Sequence, residues 1–405
     1  MSPRPPFLLA ILLLSFPQIV ETIYSPALPL IATAYRVTPA ETGQTLSLWF
    51  AAFAFGVVAW GRLSDLWGRR PALLAGLALY AAGAAWAMVA SDFSHLLAAR
   101  LISAFGAAVG SIVTQTALRD SHAGPELGRV FAVLGLALAI SPAVGLFAGQ
   151  LLAAKAGHSG VFAALGLLAA FMLGLSLWRW PETRPATLSV APFWPTFRVM
   201  LRDPGIWRCT LLIAAFNAAI FAWYQLGPFL FAGLENPWLS FGQSGFLLAA
   251  GALAGALMNR ALLRRGWTAE ALIALGVLLL GAGTALVILL TALLPQSLAF
   301  LSGVTLISSA YAVAIPNVLA IALRAYADRF GTAGAILSLF YYNLLGAGLV
   351  IAGYGQRLDF ALAVCALLAA IVSVRPMRCR GALSEESPPG GKSRILCSSS
   401  GGGRS

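Results

Sequence analysis

The chain has 405 residues, of which 60% are hydrophobic and only 10% charged, and its mean hydropathy is +0.85. A soluble domain carries about 25% charged residues, so the composition excludes a soluble protein and places the chain in a membrane. The net charge of +12 would suit a nucleic-acid partner only if the basic residues gathered on one folded face; they are instead spread over the breaks between apolar stretches.

A helix of about 20 apolar residues crosses a bilayer, and twelve such stretches are predicted, near 7–34, 44–61, 72–90, 95–118, 129–154, 160–179, 206–231, 241–259, 269–293, 298–322, 332–352 and 358–374. The first has an alternative reading as a signal peptide, with Arg4 ahead of it and "ATA" at Ala32–Ala34. A signal h-region is shorter, though, and Glu21, Pro26 and Pro29 would interrupt it, so it is read as a span. The fourth span opens on Arg100 and holds Ser111, Thr114 and Gln115. The seventh holds Asn217, Trp223, Tyr224 and Gln225, the tenth Ser308, Ser309, Tyr311 and Asn317, and the eleventh Tyr341, Tyr342 and Asn343. The longest break, rich in Arg and Pro, divides the chain into an N-terminal six-helix unit (1–179), a linker (180–205) and a C-terminal six-helix unit (206–374). A polar, Gly/Ser-rich tail (375–405) is expected to be disordered.

Assigning each Lys and Arg to a side, with the N-terminus inside, puts 22 in inner segments and 3 (Arg36, Lys155, Arg357) in outer ones, with Arg100 left within a span. This fits the positive-inside rule and predicts that both termini are cytoplasmic.

A charge at mid-bilayer costs at least about 2.5–3.5 kcal/mol on insertion scales and faces a bundle interior or a wet cavity. The two such residues are Glu21 and Arg100, at depths that let the arginine reach toward the acid. One reading is a carboxylate that binds and releases a proton under the influence of burial and a nearby cation; the other is a fixed pair joining two helices, although apolar replacements are often as stable. The polar and aromatic residues at similar depth are individually ordinary interhelical hydrogen bonds and together outline an amphipathic cavity. The G-x-x-x-G pairs Gly106/Gly110, Gly145/Gly149 and Gly251/Gly255 are read as close packing within a bundle, in a monomer. The histidines (His95, His122, His158) are isolated, no phosphate-binding loop occurs and the four cysteines have no paired spacing, so no cofactor, metal or enzymatic activity is expected.

Between the second and third spans stands "GRLSDLWGRRPALL", whose Gly61, Leu63, Asp65, Gly68, Arg69 and Arg70 resemble the cytoplasmic gate loop of the major facilitator superfamily. Physically, a short glycine-bearing turn with an acid among arginines forms a charge cluster able to latch one state. "RLISAFGAAVGSIVTQTALRD", from Arg100 to Arg119 and Asp120, resembles the fourth span of the Bcr/CflA drug-resistance transporters. "SPAVGLFAGQ", with Pro142, Gly145 and Gly149, is similar to an antiporter motif, in which Pro and Gly bend and thin the helix. "FAWYQLGPFLF" and "IPNVLAIAL…GTAGAILS" are similar to later spans of the same family. In the first span, "ETIYSPALP" departs from the usual "TDMYLPALP": the family's Asp falls on Thr22, with the acid one place earlier. After the fourth-span arginine, Ser103 replaces the usual Gln, and the second half's loop, "NRALLRRGW", has no acid.

The resemblance implies an all-α integral membrane protein of twelve transmembrane helices, arranged as two pseudo-symmetric six-helix bundles working by alternating access. The expected function is export of small amphipathic molecules, such as drugs, from the bacterial inner membrane in exchange for protons. Glu21 and Arg100 would couple to the proton, and Tyr24, Gln115, Asn217, Tyr224, Gln225, Tyr341 and Asn343 would line the substrate cavity. Gly61, Asp65, Gly68, Arg69, Arg70, Arg119 and Asp120 would form the gate. The alternative is a metabolite transporter of the same fold, handling an amino acid, nucleoside or siderophore; it gains if Arg100 pairs with a substrate carboxylate rather than with Glu21.

Overall fold

The computed structural model describes residues 4–185, 192–235 and 237–374; the expected tail and residues 186–191 of the expected linker lie outside them. The described residues form helices and no strand. The first predicted span is a broken helix. α1 (Phe7–Thr22) gives way to a single 3₁₀ turn at Ser25–Ala27, and α2 (Leu28–Tyr35) follows. Pro26 and Pro29 explain the break, because neither has an N–H to donate and each ring crowds the turn before it. α3 (Pro39–Trp67) starts on a capping box: the Glu41 N–H donates to Thr38 Oγ1 at 3.2 Å and the Thr38 N–H to Glu41 Oε2 at 2.7 Å. α4 (Arg69–Met88) and α5 (Phe93–Ser121) come next.

The fifth and sixth predicted spans are one element, α6 (Gly124–Arg179), of 56 residues. A straight helix of that length would reach about 80 Å, far beyond the roughly 30 Å of hydrocarbon. It bends instead at Gly157 (φ 64°, ψ −165°), a conformation open to glycine at no steric cost. One residue thus does the work of the expected loop. The remaining helices are α7 (Phe193–Leu201), α8 (Pro204–Ala232), α9 (Phe241–Arg264), α10 (Ala269–Leu293), α11 (Leu301–Arg324), α12 (Phe330–Gly355) and α13 (Leu358–Ser373). Among the described residues ten helices, counting α1 and α2 together, are long and apolar enough to span. With α6 crossing twice and the 16-residue α13 added, they account for the twelve predicted crossings. The unforeseen element is α7, which occupies part of the expected linker.

Within the first group, α1 packs on α5 and α6, and α5 on α3 and α4; within the second, α11 packs on α8, α9 and α10, and α13 on α8 and α10. The G-x-x-x-G pairs sit in these contacts. A Cβ at Gly110 would stand 2.7 Å from Leu13 O, one at Gly145 3.0 Å from Ile19 O, and one at Gly251 3.0 Å from Thr305 Cγ2, so backbones meet where only hydrogen fits.

The groups join along a seam of α3 against α12 and α6 against α9. Most of its identified contacts lie toward the end away from Arg62 and Arg69; at the basic end Arg119 Cζ lies 4.7 Å from the ring of Phe330 on α12. Phe50 meets Phe221 at 4.6 Å and stacks on Tyr342 at 5.8 Å, Phe147 meets Phe246 at 5.4 Å, and Gln44 Nε2 donates to Tyr354 Oη at 3.2 Å. Exposed Trp67, Trp178, Trp194 and Trp267 ring the basic end, and exposed Trp86 and Trp238 the other, as in the aromatic belts of membrane proteins.

Candidate functional site

The break after α1 leaves Glu21 on the last turn of a helix packed inside the protein. Glu21 is 6% exposed, and its Oε1 has no hydrogen-bond partner among the described residues. Arg100, 2% exposed, lies two turns into α5, whose start is fixed by the Asp92 carboxylate accepting the His95 N–H at 2.9 Å. Its guanidinium lies between two aromatic faces, with Cζ 4.1 Å from the ring centroids of both Tyr24 and Trp49. A planar, weakly hydrated cation suits such a slot. Nε and Nη2 have no partner, and no described carboxylate approaches Arg100 within the 4.0 Å of an ion pair. The fixed Glu21–Arg100 pair is therefore not formed; stacking, rather than pairing, holds the arginine.

Glu21 faces the second group of helices, and its charge is within electrostatic range of the phenols of Tyr224 on α8, Tyr311 on α11, and Tyr341 and Tyr342 on α12. Tyr311 donates to Asn217 Oδ1 at 3.4 Å, Tyr341 and Tyr342 lie 4.3 Å apart, and Ser25 Oγ donates to the Tyr224 carbonyl across the seam. Of the residues expected to line a cavity, Tyr24 thus touches the arginine, Tyr224 and Tyr341 lie within electrostatic range of the acid, and Asn217 joins them through Tyr311. Gln225 is packed into the seam, where its Nε2 donates to Leu349 O at 3.1 Å and would stand 2.6 Å from a Cβ at Gly353. Gln115 and Asn343 turn back onto their own helices, to Ser111 Oγ at 3.2 Å and Leu339 O at 2.7 Å.

The one-place offset of the acid also has a geometric meaning. Thr22 donates to Gln18 O at 2.7 Å and points at α6, where a Cβ on Gly145 would come within 3.1 Å of its own Cβ. Position 22 is therefore a packing position, while position 21, about 100° round the helix, faces the tyrosines.

At the basic end Arg69 is fully buried among acceptors: Nη1 donates to Asp65 Oδ1 at 2.5 Å and Ser64 Oγ at 3.0 Å, and Nε to Asp120 Oδ2 at 2.8 Å. Two carboxylates around one guanidinium tie the end of α3, the start of α4 and the end of α5 together. Glu182, which no sequence motif singled out, joins them. Its Oε1 accepts the N–H groups of Arg69 (2.8 Å), Thr183 (3.0 Å) and Arg184 (2.9 Å), and its Oε2 that of Arg70 (3.1 Å). This places a carboxylate on the N-terminus of α4, where dipole and free N–H groups favour it. Gly68 makes the approach possible, with φ of 112° and a hypothetical Cβ 2.5 Å from Glu182 Oε2. Gly61 packs nearby on α5, a hypothetical Cβ lying 3.7 Å from Ile112 Cγ1. Arg70 Nη2 donates to Leu177 O at 2.7 Å. Arg119 stands outside the cluster, its Cζ 4.7 Å from the ring of Phe330 on α12.

Trp49 is the second unforeseen member of the site. Its only signal in the sequence is its place in mid-span, away from the interfaces where most of the exposed tryptophans lie.

The sequence model of the Major Facilitator Superfamily matches residues 10–351. The chain is 31% identical to an uncharacterized transporter of Rickettsia bellii (strain RML369-C), over 83% of this chain and 86% of that one. It is 29% identical to a chloramphenicol resistance protein of Pseudomonas aeruginosa, over 80% and 78%. Among solved structures, the POT family transporter PepTSo superposes with a TM-score of 0.74 at 12% identity, covering 92% of this chain and 98% of that one. A D-xylose-proton symporter superposes at 0.69 and 14% identity, over 91% and 95%. At such identities the superpositions speak for the fold alone.

Proposed function

The chain belongs to the Major Facilitator Superfamily and is a multi-pass membrane transporter rather than an enzyme; from that premise we propose that it exports small amphipathic molecules, drugs among them, in exchange for protons. The observation that carries the proposal is the buried, unpaired carboxylate of Glu21, set between two groups of helices and facing tyrosines of the second. A carboxylate without a partner takes up a proton when dry and loses it when water or a cation reaches it. Opening and closing the seam changes that access, so proton and substrate occupancy alternate. Arg100, held by stacking, supplies positive potential without cancelling the acid. Residues 1–179 and 206–374 act as the two rocking halves, the basic end lies in the cytoplasm of a bacterial cell with both termini, and the Arg69 cluster with Asp65, Asp120 and Glu182 secures the first half's inner end. The 29% identical chloramphenicol resistance protein supports the drug reading.

One observation favours the second reading, a transporter specific for a carboxylate-bearing metabolite. Arg100 has no carboxylate partner among the described residues, and a bidentate guanidinium suits a substrate carboxylate.

Efflux from reconstituted vesicles, with and without an imposed pH gradient, tests the first reading. Wild type should respond to the gradient and Glu21→Gln should not. Gradient-driven efflux that survives Glu21→Gln removes the coupling role, and selective loss of anionic substrates in Arg100→Lys favours the second reading.

A further inference from the structure

The nine residues of α7 stand where the sequence predicts a loop, and their pattern explains both the helix and its place. Phe193, Thr196, Phe197 and Met200, at helical spacing, turn inward. Phe193 stacks on Phe197 at 5.9 Å, Phe197 meets Phe340 of α12 at 5.5 Å, and Phe340 stacks on Trp207 of α8 at 5.0 Å. Packing thus accounts for the inner face.

No described residue covers the outer faces. Trp194 is 66% exposed and Leu201 44%; seven residues apart, they share one flank within about 20°. Arg198 and Arg202, four apart and both exposed, form a ridge beside that flank, and neither pairs with a described acid. Bulk water suits the arginines but not the tryptophan and leucine, and hydrocarbon suits the reverse. The boundary between headgroups and acyl chains satisfies both. The exposed tryptophans Trp67, Trp178 and Trp267 mark that boundary at the same end, and Arg179 repeats the pairing with its Cζ 4.1 Å from the Trp178 ring.

We infer that α7 is a binding site for an anionic phospholipid, with Trp194 and Leu201 among the upper acyl chain and Arg198 and Arg202 on the headgroup phosphate. Guanidinium and phosphate match in charge and bidentate geometry, and the negative surface of an anionic leaflet draws the ridge to it. The inner face of α7 rests on Phe340, next in sequence to Tyr341 and Tyr342. A lipid held there therefore steadies the helix that faces Glu21. The site itself is independent of what the protein transports.

The test uses the full chain in phosphatidylcholine nanodiscs with and without a fraction of phosphatidylglycerol. Thermal unfolding of wild type should be raised by phosphatidylglycerol, and retention of that lipid in native mass spectra should fall roughly tenfold to thirtyfold in Arg198→Gln/Arg202→Gln. The variant Arg198→Lys/Arg202→Lys should keep most of the response. Trp194, read as the difference between wild-type and Trp194→Phe emission, should be quenched by lipid brominated high on the acyl chain and shielded from iodide. An unchanged lipid response in the Gln variant, or a Trp194 signal quenched by iodide and not by brominated lipid, overturns the site. The second outcome would leave α7 facing water or a protein partner. Because the quenching is read on folded wild type, a Gln variant that fails to fold does not remove the test.

Discussion

Trp49 and Arg100 stack across α3 and α5, Cζ to ring centroid 4.1 Å, and with the Tyr24 ring at the same distance the guanidinium is held with no counter-ion among the described residues. Cation–π contact in a desolvated site is worth about 2 kcal/mol, and emptying a buried Trp position costs about 3–5 kcal/mol. Efflux should rank wild type above Trp49→Phe and both above Trp49→Ala. Arg100→Lys, which keeps the charge and loses the plane, should fall near Trp49→Ala. Equal transport by Trp49→Ala and wild type would show that the stack is idle.

Exchanging the neighbours, as Glu21→Thr with Thr22→Glu, keeps composition and moves the carboxylate onto the face packed against Gly145. The longer acid cannot fit where a Cβ on Gly145 would already come within 3.1 Å of Thr22 Cβ. Overpacking of this kind costs about 1–3 kcal/mol. The exchange should lower thermal stability and abolish gradient-driven efflux, whereas Glu21→Gln should abolish coupling with stability kept or raised. Coupling that survives the exchange would mean that the facing of position 21 is unimportant.

How much of this could be read in the sequence depends on the kind of signal. Span count and the proline break before α2 follow from composition and local sterics, and those were legible. The Arg69–Asp65–Asp120 cluster was legible because its members sit in compact motifs. Glu182 was not, since it acts on backbone N–H groups of a turn more than a hundred residues away in sequence, and a lone acid in a basic linker looks like any solvated one. Gln225 misled because a buried amide reads the same whether it lines a cavity or fills a seam against Gly43 and Gly353. The break between the fifth and sixth spans was legible in the polar run around Lys155 and His158; that a bend at the single residue Gly157 would make it, with no loop, was not.

Glu182 and Gly68 form one unit. Gly68→Ala adds a Cβ to a residue at φ 112° and drives it toward Glu182 Oε2; Glu182→Ala strands four N–H groups. Unsatisfied buried groups cost about 1–3 kcal/mol each, less where water reaches them. Both variants should melt below wild type, and the double variant should lose less than the sum of the two. Strictly additive shifts in a melting assay would argue against the unit.

Gly346 backs the seam, a Cβ there lying 2.8 Å from Ser47 O. Gly346→Val should wedge α12 from α3. A cysteine placed at Gln44 should then react faster with a membrane-impermeant maleimide than the same cysteine in the wild-type background. Unchanged labelling would mean that the helices absorb the methyl groups without parting.

The make-up of that seam sets how it answers to its surroundings. Away from the basic end, phenyl rings, glycine backbones and a few neutral hydrogen bonds close it, and none of the ion pairs identified between described residues crosses it. Parting such faces exposes apolar surface to water, which carries a positive heat-capacity change. Ionic strength should therefore leave the balance between closed and parted forms almost untouched, while cooling, which weakens apolar association, should favour the parted form. The Arg69 cluster at the other end is built from charges, so the two ends of one molecule would answer to different physical variables.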